Sequence, residues 1–184
     1  ALAQPLKPAD DATAELAQQT IAAYRKGDLP GATALATKLI AATPKQPQGW
    51  FLRAQLYVAQ RDHAKAIADY TEILQLDPKS ANARQARGEA HFKLGHFAES
   101  IADFDQVLEL EPRQKPYHWQ RGIALYYAGR FKDGKEQFQI HQTVNSNDVE
   151  NAVWHFLCAA RADGLSADHP GRRRTDHHHG RRDS

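Results

Sequence analysis

The sequence predicts an all-α protein, a solenoid of four helical hairpins plus a closing helix, and three observations predict it. Pro44, Pro78 and Pro112 stand 34 residues apart, the length of one repeating helical hairpin. Small residues recur in the same register, at Ala32, Ala66, Ser100 and Gly134. A third column holds Gly27, Gly95 and Gly129, with Arg61 as its exception, and a bulky residue follows two positions later at Leu29, His63, Phe97 and Phe131. So many matches at one period describe units that bury their apolar faces on one another.

The repeats run 13 to 46, 47 to 80, 81 to 114 and 115 to 148. Each begins with an amphipathic helix, turns at the glycine column and continues into a second helix. That helix stops at or just before proline, which lacks the N–H donor and clashes with the preceding turn. Asp77-Pro78 and Glu111-Pro112 show this best, and Ser146 replaces the proline in the fourth repeat. Ala54, Gly88 and Gly122 are the small residues that let a first helix approach its partner, and Tyr70, Phe104 and Phe138 plug the gap between adjacent repeats. Repeat one is degenerate, with Thr20 and Ala36 in these columns, as a terminal repeat tends to be. Beyond 148 the frame is expected to slip by two, so that Trp154, Leu157 and Cys158 start a truncated fifth unit. Val149, Ala152, Val153, Phe156, Leu157 and Ala160 form the apolar stripe of this closing helix, 149 to 164.

Residues 1 to 12 read as a disordered leader and 165 to 184 as a disordered tail rich in Arg and His, without apolar periodicity. Ala1-Leu2-Ala3-Gln4 has the small residues at alternate positions that end an export signal. This sets an extracytoplasmic expectation, with a cytoplasmic location as the alternative. The net charge of +2 resides wholly in the tail, where five arginines face three aspartates. The neutral body has no basic face for nucleic acid. No apolar run reaches the ~18 residues of a membrane span. The single cysteine, Cys158, rules out an internal disulfide and a four-cysteine zinc site.

Trp50, Ala54, Tyr57, Ala66, Tyr70 and Pro78 in repeat two, and Gly88, Ala90, Ser100, Phe104 and Pro112 in repeat three, resemble the tetratricopeptide-repeat family. The resemblance implies a right-handed solenoid. The stretch from Lys115 to Ala162, with Tyr117-His118-Trp119-Gln120-Arg121-Gly122 and Asn151-Ala152-Val153-Trp154-His155-Phe156, is similar to exported bacterial tetratricopeptide proteins of the NlpI-like type. Those chains continue as ordered helix past this point. The carboxylate clamp with which some family members hold chaperone tails needs cations, and its positions here read Phe51, Gln55, Ala86, Pro116 and Gln120. Recognition of a chaperone C-terminus is therefore disfavoured.

Nothing catalytic emerges. Arg53, Arg87 and Arg121 share a column, as do Asp69 and Asp103, and are expected to pair and tie repeat to repeat rather than to form an anion ladder, since the guanidinium fork suits a carboxylate. His63 and His91 occupy packing positions, while His118 and His141 have no acidic or cysteine partner at ligand spacing. The run His177-His178-His179 grips divalent metal only as any such run does. No histidine is placed to activate Cys158. No phosphate loop or nucleophile elbow is present, so neither an enzyme nor a cofactor is expected.

Within the family fold the first helices line the concave face, and offsets 2, 5, 9 and 12 of each repeat point into it. Those positions give Ala14, Ala17, Ile21 and Tyr24; Gln48, Phe51, Gln55 and Val58; Asn82, Gln85, Glu89 and Phe92; and Pro116, Trp119, Ile123 and Tyr126. The expected peptide-binding groove is Tyr24, Phe51, Gln55, Gln85, Glu89, Phe92, Trp119, Ile123 and Tyr126, where aromatics offer stacking area and amides can bond a peptide backbone. The function expected is a non-catalytic scaffold for a protein or peptide partner. The alternatives are self-association through the unpaired fifth helix, with oligomeric state left open, and polyanion binding by the arginine tail.

Overall fold

The computed structural model describes residues 11–164, so residues 1 to 10 of the leader and the tail from 165 lie outside the described residues, while residues 11 and 12, expected in the leader, already belong to the first helix. Four hairpins follow one another: α1 (Asp11–Arg25) with α2 (Leu29–Ala42), α3 (Pro47–Ala59) with α4 (His63–Leu76), α5 (Ala81–Lys93) with α6 (Phe97–Leu110), and α7 (Trp119–Tyr127) with α8 (Phe131–Gln142). A 3-10 segment, Pro112–Tyr117, precedes α7, and α9 (Val149–Ala162) closes the described chain. Each helix packs on its neighbours in sequence, first within the hairpin and then on the next first helix. No strand occurs, and no helix is long and apolar enough to cross a membrane, among the described residues.

The turn inside every hairpin needs one left-handed residue. Gly27, Gly95 and Gly129 take it with φ of 80°, 75° and 76°, and Arg61, the exception in the column, is forced to φ 60°. The next position caps the second helix. Asp28 and Asp62 accept from Gly31 N and Lys65 N at 2.9 and 3.2 Å, whereas His96 and Arg130 in the same column make no capping bond. The second helices end at Ala42, Leu76 and Leu110, two residues before each proline of the 34-residue series.

Close approach is visible at the small column. A Cβ on Gly88 would lie 2.7 Å from the Phe104 ring, and one on Gly122 would lie 2.6 Å from the Phe138 ring. Those rings continue across the repeat boundary. Phe104 lies 4.5 Å from the His118 ring and Phe138 stacks on Trp154. Each aromatic thus joins its own hairpin to the next.

Three expectations need correction. The first helix of repeat four does not start near 115, because Pro116 cannot donate and turns Pro112–Tyr117 into a 3-10 segment, so α7 begins only at Trp119. The frame does not slip after 148. Cys158 Sγ lies 2.8 Å from where a Gly134 Cβ would be, repeating the pairing of Leu56 with Ala32 at the same separation of 24. Asn151, in turn, is buried and donates to Phe138 O at 3.2 Å. Finally, the apolar stripe of α9 is not a packed face, since Val149, Val153 and Phe156 are 75%, 51% and 66% exposed.

Candidate functional site

The arginine column links the first helices to the helices on either side of them. Arg53 forks onto Asp69 at 2.8 Å twice, and Arg87 forks onto Asp103 at 2.8 and 2.7 Å, each inside its own hairpin. Both arginines also reach one hairpin back, to Thr37 and Thr71 respectively. In the next repeat the partners exchange chemistry: Arg121 meets a neutral Gln137 in its own hairpin and the carboxylate of Asp105 in the preceding one. The inter-repeat tie therefore comes from threonine twice and from a carboxylate once.

Two clefts open between successive first helices. The first, about 470 Å³, lies between α1 and α3 and is lined by Thr20, Ile21, Tyr24, Arg25, Leu52, Gln55 and Leu56. Tyr24 is half exposed there and Gln55 is exposed beside it. The second, about 240 Å³, is more polar and lies between α5, the 3-10 segment and α7, with Asn82, Gln85, Gln114, Tyr117, His118 and Gln120 on its walls. Gln85 organises it. Its amide donates to Glu89 Oε1 at 2.8 Å and to Gln120 Oε1 at 3.4 Å, and its carbonyl accepts from His118 Nε2 at 2.9 Å.

His118 is buried, and burial followed by the charge of Arg121 pushes its pKa down to about 4. It is therefore a neutral imidazole at physiological pH, with the proton on Nε2 because Gln85 Oε1 can only accept. Burial, with Glu89 and Asp69 nearby, pushes the Tyr70 phenol up to about 12. Burial likewise raises the Cys158 thiol to about 11, which suits its packing position and not nucleophilic chemistry.

The predicted groove residues divide in the structure. Tyr24, Gln55 and Gln85 line the two clefts, Glu89 is tied to Gln85, and Trp119 is 47% exposed at the start of α7. Phe51 instead sits edge-on to the Tyr70 ring at 5.9 Å and belongs to the core of repeat two. Phe92 packs on Phe97, and Tyr126 lies among Tyr127, Phe131 and Trp154. Ile123 is a correction: it is buried against Phe138 and Cys158, because Phe92, Tyr126 and Trp154 pack around this cluster and cover it. His118 and Gln120 were not anticipated. Their signal was the shared column of Trp50, Arg84 and His118: the first two reach back to Pro44 O and Pro78 O, and the 3-10 segment redirects the third toward Gln85.

Tetratricopeptide-repeat family profiles match residues 18–81 and 54–118, together more than half of the chain. The chain belongs to the tetratricopeptide-repeat family. Among solved structures, MamA is 17% identical with a TM-score of 0.76, covering 82% of each chain. YrrB, a tetratricopeptide protein described as having an unusual peptide-binding site, is 13% identical with a TM-score of 0.73, covering 82% of this chain and 78% of its own. The first tetratricopeptide domain of Spaghetti (RPAP3), bound to the HSP90 peptide SRMEEVD, is 24% identical with a TM-score of 0.54, covering 72% of this chain and 92% of its own. At these identities the likeness is one of fold. No curated protein matches the sequence.

Proposed function

We propose that the tetratricopeptide array is a non-catalytic scaffold whose first-helix face holds an extended protein or peptide segment. The observation that carries this reading is the pair of clefts, the first lined by the exposed Tyr24 with Gln55 and the second by the exposed Tyr117 with Asn82, Gln85 and Gln120. Amides of this kind bond the backbone of an extended chain whatever its side chains, and an exposed aromatic supplies contact area at little cost in conformational entropy. The neighbours solved with or described by a peptide site support the class of ligand.

Charge narrows the class. The second cleft is lined by amides and Glu111, with Glu89 beside Gln85, and carries no lysine or arginine on its walls. An acidic peptide of the kind seated on Spaghetti meets no cation there, so a neutral or basic segment is the better fit. Screening the chain against neutral, basic and acidic peptides tests this directly. Capture of acidic sequences alone would overturn it.

The extracytoplasmic setting stays a proposal resting on Ala1 to Gln4, which lie outside the described residues. Proteolytic accessibility of the protein in intact cells against fractionated cells decides it. The NlpI-like kinship is likewise proposed, and the segment 115 to 162 supports it.

A further inference from the structure

Among the described residues α9 carries more exposed large apolar side chains than any other helix. Val149, Val153 and Phe156 are 75%, 51% and 66% exposed, while the opposite side of the same helix buries Asn151 and Cys158 against α8. With Ala160 they follow spacings of four, three and four residues, the seam by which two helices pair. Surface of this size on one helix marks an interaction site.

Position in the repeat says what does not cover it. In the unbroken 34-residue frame Phe156 continues the column Ala54, Gly88, Gly122, where a small residue admits the hairpin's own second helix. A phenylalanine there blocks that close approach, so α9 is not shaped to receive a further hairpin partner of the kind seen in the first four units. Nor do residues 165–184 offer an apolar face, since Leu165 is their one large apolar side chain.

We infer that α9 pairs with α9 of a second copy of this chain, antiparallel across a two-fold axis. In that arrangement the seam is self-complementary. It sets Val149 opposite the small Ala160 of the second copy and Val153 opposite Phe156, a bulk-to-small pairing at each end. Glu150, exposed near the start of α9, then comes within about a turn of Arg161 near the end of the other helix, and the two helix dipoles oppose. A parallel pair would place Glu150 and Arg161 at opposite ends and align the two dipoles. Trp154 touches Tyr127, which is 56% exposed, and this extends the patch beyond the helix. One helix face with this border lies at the low end of the ~800 Å² per partner found in stable interfaces, so the dimer is concentration-dependent. This inference is independent of the groove reading, because none of its residues lines either cleft.

Sedimentation velocity of the full chain, from low micromolar to several hundred micromolar, tests it. The mass should rise from 20.6 kDa toward twice that value. Val153→Asp and Phe156→Asp should each weaken association at least ~10-fold, with helical circular dichroism unchanged because both side chains are exposed. A Val153→Cys, Phe156→Cys double variant should cross-link two copies. A chain that stays monomeric at all concentrations overturns the inference. A dimer insensitive to both aspartates overturns it too, placing the contact elsewhere.

Discussion

Arg121 donates to Asp105 at 2.6 Å, one hairpin back, whereas Arg53 and Arg87 find their carboxylates in their own hairpins. The two arrangements differ in burial. Asp69 and Asp103 are almost fully buried, while the Asp105 side chain is 38% exposed. Removing a buried carboxylate strands a charged guanidinium in the repeat junction, so Asp69→Ala or Asp103→Ala should cost ~3 kcal/mol. Asp105→Ala should cost under ~1 kcal/mol, because solvent screens that pair. Placing the carboxylate back in its own hairpin, with Gln137→Asp and Asp105→Thr together, should leave stability close to the parent chain. Urea denaturation midpoints check all three, and equal losses at 69 and 105 would refute the distinction.

Two positions depart from their columns and should improve when restored. Arg61 holds φ 60° where three glycines otherwise sit, so Arg61→Gly should stabilise by ~1 kcal/mol. His96 precedes α6 without a capping bond, and His96→Asp, as at Asp28 and Asp62, should add ~0.5 to 1 kcal/mol. A lower melting temperature in either variant would show that the local environment outweighs the column.

Overpacking probes the glycine contacts. Gly88→Leu and Gly122→Leu drive a side chain into the rings of Phe104 and Phe138 and should each cost ~1 to 3 kcal/mol. Gly31, outside this column, is not informative in the same way, since its only close neighbour is the cap Asp28. Unchanged denaturation midpoints for both leucine variants would mean that the hairpins do not cross where these glycines lie.

His118 confers a defined pH dependence. Its folded pKa, about 4, lies below the ordinary histidine value of 6.5, so between these values the unfolded chain binds the proton that the folded chain refuses. Its contribution to stability is complete above 6.5, falls as pH drops and levels off near 4, a change of roughly 3 kcal/mol at ~1.36 kcal/mol per unit. His118→Gln should flatten that part of the stability curve. A profile with the same slope in both proteins would contradict a buried neutral imidazole.

Much of this architecture was legible because it repeats. Pro44, Pro78 and Pro112 marked the helix ends, Gly27, Gly95 and Gly129 marked the turns, and the arginine column announced its aspartates. The departures arose where one residue breaks the period. Pro116 delays α7 and frees His118 to meet Gln85, while the rings of Phe92 and Trp154 cover Ile123 where its column is otherwise open to the groove. Phe51 and Phe92 carry the same offsets as Gln85 and Tyr24, and only neighbouring rings, Tyr70 and Phe97, draw them into packing. For α9 the periodicity identified an apolar stripe correctly but could not tell which side of the helix α8 would cover.

The central claim is that the first-helix face holds the ligand, and calorimetric titration of a peptide selected by the full chain tests it most directly. Tyr24 and Tyr117 are exposed and line one cleft each, so Tyr24→Ala with Tyr117→Ala should weaken binding by ~2 kcal/mol or more while the melting temperature stays near that of the parent chain. Affinity that survives this double variant, yet is lost when α9 or the second helices are altered, would contradict a binding site on the first helices.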